Sequence, residues 1–485
     1  MYLGLDLGTS SVKAVVTDDG AVVAEASEPL TVSRPGPRMS EQAPDDWWGA
    51  VERVMAKLRD HGPAVDAIGL SGQMHGAVLL DARERVLRDA ILWNDGRSEA
   101  ECAALEERVD VPALTGNRAM PGFTAPKLLW IRRNEPEAFA RTRTVLLPKD
   151  YLRLRMTGEL ATDLSDASGT LWLDVGARGW SDGMLAATEL NDANMPRLVE
   201  GPETTGVLRP ELAAEWGMRS VPVVGGGGDQ AAGAVGVGAV AAGASFISLG
   251  TSGVYFVPDS TYRPNPQGGV HAFCHALPEM WHQMSVILSA ASALTWVAGL
   301  TGAASEEALI DEVQSAGSDP GPLYFLPYLS GERTPHNDAN ALGAFVGLDH
   351  DVDRARLGYT VLEGVAFALA DGQRVLLEAG ADLGEISVIG GGSQSLYWGR
   401  LLSAALRRPM VYREDAAVGP ALGAARLAEL GHAGGDPVDV CPQAPVVDTV
   451  EASTAEMDRA QERFAVYRGL YEDLKARFPS LHGTA

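Results

Sequence analysis

Hydrophobic and polar positions alternate almost from the first residue. Leu3, Leu5 and Leu7 occupy every second position, the chain turns at Gly8-Thr9-Ser10, and alternation resumes over residues 12–16. That is the pattern of a strand hairpin. It returns over residues 244–254, and both copies contain Leu-Gly-Thr-Ser, at 7–10 and at 249–252, 242 residues apart. A repeat at half the chain length predicts an α/β protein of two similar domains, each opening on a hairpin, with a cleft between them. Elsewhere the period switches. Trp47, Trp48, Val51, Val54, Met55 and Leu58 recur at helical spacing and predict a helix over 44–59. Short apolar runs predict strands at 67–71, 78–80, 90–93 and 221–224, with a helix at 125–133. In the second half the pattern predicts helices at 356–379 and 418–430 and a strand at 386–389. A closing amphipathic helix is predicted at 457–478, after a weakly structured acidic stretch at 434–453.

Length and composition narrow the class. At roughly 150 residues per domain, 485 residues suggest two to four domains. The repeat favours two, at 1–240 and 241–485. With 46% hydrophobic and 21% charged residues, the chain is neither disordered nor fibrous. Its net charge of −25 repels nucleic acid and anionic membranes. A phosphorylated ligand is still allowed, because backbone N–H groups and a metal can hold it. Cys102, Cys274 and Cys441 are odd in number and widely spaced. That argues against a disulfide framework or a zinc site and fits a reducing, cytoplasmic setting. Met1 leads straight into the first strand with no basic n-region, so export is not expected. Residues 230–258 carry no charge, yet they are Ala/Gly-rich and then β-like. They predict a buried helix followed by a buried strand, not a membrane span.

The two hairpins differ at one chemically telling position: Asp6 stands where the second copy has Ser248. A carboxylate inside a buried strand is costly unless it holds a cation or a proton. The strongest single feature is an apolar run ending at Val224, followed by four glycines and Asp229. There an acid sits at the start of a helix, in the N-cap position. Capping alone does not require four glycines, which let another group approach the backbone. Asp229 is therefore a candidate general base projecting into the cleft. The run from Gly390 through Gly391 and Gly392 to Ser395 repeats the strand–turn–helix form without charge, which suits a phosphate or the ribose of an adenosine. No Gly-Lys pair exists, so a GxxxxGK[ST] loop is absent. The GxGxxA match from Gly236 to Ala241 lies inside a predicted helix, not after a strand. Met74-His75 and the cluster Trp93, Asn94, Asp95, Arg97 offer the aromatic and polar groups a small polyol needs. Structurally, His75 is as readily a core histidine, and Asp95 with Arg97 a local ion pair. No His/Cys cluster has ligand spacing, so an expected metal is Mg²⁺ on oxygen ligands.

From Met1 to about Leu430 these segments resemble the FGGY carbohydrate kinases. Gly122-Phe123-Thr124 through Lys127, Trp130 and Arg133-Asn134 is similar throughout to the family's first signature. Gly343 to Glu363 resembles the second less closely, departing at Arg356 and Thr360. The runs Ser71 to Gly76, Ile91 to Arg97, Leu147 to Arg153, Phe325 to Pro335 and Val418 to Ala425 resemble the branch acting on D-xylulose. Met74-His75 stands where glycerol-acting members carry Arg-Glu, whereas Gln230 departs from the Asn common in the xylulose branch. The resemblance implies two ribonuclease-H-like domains of the actin/hexokinase type. It implies ATP, Mg²⁺ and conversion of D-xylulose to D-xylulose 5-phosphate in xylose catabolism. Asp229 would be the general base and Asp6 the residue holding Mg²⁺, through water. Gly8, Thr9, Ser10, Gly250 and Thr251 would grip the phosphates, and Gly391, Gly392 and Ser395 would lie near the adenosine. Met74, His75, Trp93 and Asp95, with Asp229 and Gln230, would line the ketose. A homodimer is compatible with the family. Two alternatives stay open: another FGGY kinase acting on ribulose, gluconate or glycerol, and a non-catalytic ATP clamp of the actin/Hsp70 shape.

Overall fold

Each hairpin seeds a sheet. The computed structural model describes residues 1–317, 320–414 and 419–481. Tyr2–Leu7 pairs antiparallel with Ser11–Asp18, and Ala244–Leu249 with Gly253–Asp259. Each pair gains a third antiparallel strand on one side, Ala21–Pro29 or Trp281–Ile287. On the other side each gains a parallel strand, Ala67–Gly72 or Glu385–Ile389. Pro222–Val224 and Met410–Arg413 extend the parallel side, and Thr204–Val207 and Val446–Val450 close it antiparallel. Both sheets have seven strands and follow this one plan, as the repeat predicts. The short strand Gly227–Gly228 in the first and His271–Cys274 in the second are the unmatched members.

Parallel neighbours need crossover connections, which helices supply. Pro44–Lys57 makes the first one and buries Trp47, Trp48, Val51, Val54 and Met55 against the first sheet. Arg354–Glu378 does the same in the second half and is buried along most of its length. Most bounds shift by a residue or two, and some differ more instructively. The strand predicted at 90–93 ends at Ile91, where the chain leaves the sheet to carry Trp93 outward. The closing helix is Thr454–Leu474, with Phe478–Leu481 a separate turn. The acidic stretch is not unstructured: Val446–Val450 is an edge strand with exposed valines on both faces, so it lacks the alternation that marks a half-buried strand. The helix expected from 418 is seen as Pro420–Ala433, and Val418 lies outside the described residues. The uncharged segment is a helix, Asp229–Gly236, followed by two strands, and no described helix is long and apolar enough to cross a membrane.

The helix Pro420–Ala433 follows a strand of the second sheet yet packs on the first. A β-carbon on Gly4 would stand 1.9 Å from the Ala421 carbonyl oxygen, and one on Gly69 1.8 Å from that of Ala424. Glycine alone lets a helix backbone lie this close to a strand. The same helix crosses Asp229–Gly236, where a β-carbon on Gly423 would stand 1.7 Å from the Ala232 carbonyl oxygen. Arg426 reaches across to the carbonyls of Val235 and Gly236 at 3.1 and 2.9 Å. The small residues at 231–236 thus belong to a tight helical crossing. A separate apolar cluster containing Phe123, Phe256, Phe273 and Met284 joins the halves on another side.

Candidate active site

Three parallel strand ends lie abreast in the first sheet, because Leu7 and Gly228 both pair with Gly72. Asp229, the next residue, therefore emerges at the same end of the sheet as the turn Gly8-Thr9-Ser10, one strand removed from it. Asp6 stands on the neighbouring strand, level with Ser71. Burial pushes Asp6 up to about 6, eased by the Ser71 hydroxyl and the Lys13 charge. Burial and the negative charge of Asp6 push Asp229 up to about 7, with the polar groups of Gln230 pulling the other way. Asp6 Oδ1 is buried without a hydrogen-bond partner among the described residues. Two carboxylates that repel each other, one with an orphan oxygen, form a place for a cation next to a proton acceptor. Among the described residues no cluster of three or more His, Cys, Asp or Glu could itself hold a metal. An ion here would take most of its oxygen ligands from phosphate and water, as Mg²⁺ does.

The glycine run has a different reason from the one expected. Gly225 would clash with the Glu200 carbonyl, Gly226 with that of Leu70, and Gly228 with Met74, if each carried a β-carbon (2.3, 1.8 and 2.9 Å). The close approach is made by protein, not by ligand, and it brings Asp229 level with the strand ends. Nor does Asp229 cap the helix. Gly228 holds the N-cap position, no side chain caps that end, and Asp229 is the first helical residue. Its half-buried carboxyl is thus not spent on capping.

Beneath the run lies a charged platform that sequence reasoning missed. Arg153 donates to the carbonyls of Val224 and Gly225 at 2.7 and 2.6 Å, and Ser165 Oγ accepts from the Gly228 N–H at 3.1 Å. Lys149 is fully buried among Asp150, Asp163 and Asp166 at 2.7, 2.7 and 3.0 Å. The available trace was four charged residues, Lys149, Asp150, Arg153 and Arg155, crowded into the ten-residue helix Pro148–Thr157.

On the next strand end, His75 holds a left-handed φ of 68°. Thr124 and Lys127, both from the first signature, clamp its carbonyl at 3.1 and 2.8 Å, and Lys127 also donates to the Gly122 carbonyl at 2.8 Å. His75 Nδ1 lies 2.6 Å from the Gly169 carbonyl oxygen, which can only accept. Burial and the Lys127 charge push the imidazole down to about 3, so the ring is neutral and Nε2 is left as an acceptor. Met74 is buried against Gly228 and Gly169.

Trp93 is 38% exposed, which leaves its ring open. Its Nε1 donates to Thr9 Oγ1 at 2.9 Å, and Thr9 Oγ1 donates to Gln73 Oε1 at 3.1 Å. The indole and the first turn are thereby fixed to each other, and the Thr9 hydroxyl is committed to this link. Asp95 does not present a carboxylate. Both its oxygens are held by Arg97, and one also accepts from the Ser40 N–H at 2.6 Å, so it anchors the Trp93 loop.

In the second sheet, the carbonyls of Gly250 and Thr251 accept from Ala291 and Ala290 at 2.9 and 3.0 Å, tying that turn to the helix Ala291–Thr301. A β-carbon on Gly392 would stand 2.7 Å from Leu249 Cβ, so the glycine turn is pressed onto the second hairpin. Gly391 differs, since a β-carbon there would meet nothing within 4 Å, which leaves room for a ligand. Ser395 is spent otherwise: its Oγ caps the helix Leu396–Leu406 by accepting from Trp398 N at 3.1 Å.

Residues 1–236 match the N-terminal domain, and residues 245–431 the C-terminal domain, of the FGGY family of carbohydrate kinases. A xylulose kinase of Escherichia coli (strain K12) is 53% identical over 479 residues, covering 98% of this chain and 99% of that protein. A xylulose kinase of Klebsiella pneumoniae is 55% identical over 434 residues, 89% of this chain and 90% of that protein. Among solved structures, a xyloylose kinase from Brucella ovis matches with a TM-score of 0.95 at 50% identity, over 98% of this chain and 99% of that one.

Proposed function

The chain belongs to the FGGY family of carbohydrate kinases, and on that premise we propose that it phosphorylates D-xylulose at its terminal hydroxyl with ATP, giving D-xylulose 5-phosphate. The observation that carries this reading is the pair Asp6 and Asp229, brought to the same end of the sheet on either side of the strand Ala67–Gly72, near a glycine-hydroxyl turn. Asp229, with its carboxyl raised to about 7, accepts the proton of the attacking hydroxyl. Asp6 would hold Mg²⁺, directly or through water. When bound, that ion neutralises charge on the transferred phosphoryl group. The backbones of Gly8, Thr9 and Ser10 in one half and of Gly250 and Thr251 in the other hold the phosphates, and Gly391 and Gly392 receive the nucleoside. Met74, the acceptor nitrogen of His75, the open ring of Trp93 and Gln230 receive the ketose, with Asp95 positioning Trp93.

We divide the chain after residue 240, which leaves Pro420–Ala433 as an element of the second domain lying on the first. Three free, buried cysteines support a cytoplasmic setting. The test is ADP release by the full chain with ATP, Mg²⁺ and a panel of D-xylulose, ribulose, gluconate and glycerol. D-xylulose should give the highest kcat/KM. A higher value for another sugar would replace the substrate. ATP binding without turnover on any of them would favour the non-catalytic clamp.

A further inference from the structure

The residues proposed to receive the sugar come from the first half, yet a charged group from the second half borders them. Arg333 has a fixed backbone: its N–H donates to Glu332 Oε1 at 2.7 Å, its carbonyl accepts from Asn337, and Thr334 exchanges hydrogen bonds with Val286 at 3.0 and 3.1 Å. Its guanidinium reaches the first half. A β-carbon on Gly122 would stand 3.9 Å from Arg333 Nη2 and 2.7 Å from the Trp93 carbonyl oxygen. The Arg333 charge is felt at His75 and at His271, and both imidazoles pack edge-on against Phe123, at 4.9 and 5.6 Å.

Among the described residues this guanidinium forms no hydrogen bond or ion pair. Among the described residues, the carboxyl whose charge is felt there is that of Glu332, which forms no ion pair or hydrogen bond with the guanidinium. Glu332 is adjacent, but burial pushes its carboxyl up to about 8, and its Oε1 is taken by the N–H groups of Arg333 and Leu288. Burial also keeps His75 and His271 neutral. Other partly buried arginines of this chain are paired: Arg97 with Asp95 and Glu41, Arg178 with Glu200, Arg463 with Glu363. A half-buried cation with no ion-pair partner and unused donors is costly unless a ligand completes it.

We infer that Arg333 contacts the sugar and sets its specificity, donating to the carbonyl oxygen of the ketose and to the oxygen on a neighbouring carbon. This rests on the ketose reading given above. A guanidinium only donates and a carbonyl oxygen only accepts, so the match leaves neither group unsatisfied. A hydroxyl in the carbonyl's place can also accept, but with its own proton turned away it needs a second partner, an acceptor that the guanidinium cannot supply. The planar fork of donors also suits two oxygens on adjacent carbons better than an ammonium would. The second half then takes part in recognising the sugar as well as the nucleotide.

The test measures binding of D-xylulose and competition by xylitol, its reduced form, on the full chain and on Arg333→Gln and Arg333→Lys, with the KM for ATP and the melting temperature alongside. Arg333→Gln should weaken D-xylulose by about 10–100-fold, the loss typical of a charged hydrogen bond. It should weaken xylitol less, leave the ATP KM unchanged and not lower the melting temperature of the ligand-free protein, since the unpaired cation it removes is itself costly. Arg333→Lys, which keeps the charge and loses the fork, should fall between, and it decides the matter if the glutamine variant does not fold. Unchanged D-xylulose binding, or equal losses on both ligands, would overturn the inference while leaving the kinase reading intact. No D-xylulose binding by the unaltered chain would overturn both.

Discussion

In the first hairpin Asp6 lies opposite Lys13 and level with Ser71; in the second, Ser248 lies opposite Val254 and level with Ile389. The turns carry the same Gly-Thr-Ser, but the first encloses one more residue between its last paired positions. The neighbours diverge further. The parallel strand of the first sheet ends beside Gly228 and Asp229, whereas that of the second runs into uncharged glycines. One backbone plan thus supplies the Gly-Thr-Ser turn twice, and the carboxylates are added at one copy only. ATP brings its own negative charge, so a second carboxylate without a cation would oppose it.

The largest effect should come from the acid that has no counterpart in the second half. Asp229→Asn should lower kcat by about 10²–10⁴-fold, the usual worth of a positioned base, while the folded variant still binds D-xylulose and ATP. Turnover near that of the unaltered chain would end the catalytic assignment. Asp6→Ser makes the first strand resemble the second. It should weaken the apparent affinity for Mg²⁺ in turnover by about 10–100-fold, with sugar binding kept, as read from Mg²⁺ titrations and from binding without nucleotide. The converse change, Ser248→Asp, should raise the ATP KM by about tenfold, since it sets an uncompensated carboxylate beside the second turn.

Two pH experiments probe the same asymmetry at finer scale. Asp229 must be ionised to accept a proton, and its carboxyl lies at about 7, so kcat/KM should fall about tenfold for each pH unit below that. A flat profile from pH 5 to 8 would contradict the assignment. The stability effect is smaller and has the opposite sense. A carboxyl raised on folding contributes stability that is present below its unfolded value and is lost as pH rises through the folded one. The ligand-free protein should therefore lose stability between about pH 4 and 7, and Asp229→Asn should have the higher melting temperature above pH 7.

Much of the frame was legible because hairpins announce themselves locally, in alternation and turn residues. Asp229 was legible as well, although for a partly mistaken reason. Three of the four glycines, Gly225, Gly226 and Gly228, serve packing against Glu200, Leu70 and Met74, and no run of sequence reveals which strand will lie alongside. The same limit hid the link from Trp93 to Thr9, 84 residues away, and the placing of Lys149 among three aspartates. Asp95 shows the reverse error. The ion pair with Arg97 was one of the two readings the sequence allowed, but only the fold shows that Glu41 and the Ser40 N–H join it and hold both partners in place. The edge strand Val446–Val450 escaped because an edge with two exposed faces carries no periodic signal.

The helix Pro420–Ala433 has a consequence for how the chain comes into being. All strands of the first sheet leave the ribosome well before the helix that covers Gly4 and Gly69. Until then the nascent sheet presents a bare strip of backbone and small side chains, and Ala67, Val224 and Val235 lack Leu427 and Ala428 as packing partners. Synthesis therefore passes through a half-finished state with a sticky face, the kind that invites mispairing between neighbouring chains. The order of translation makes the two halves mature together: neither surface of the crossing is complete until the chain has returned to where it began.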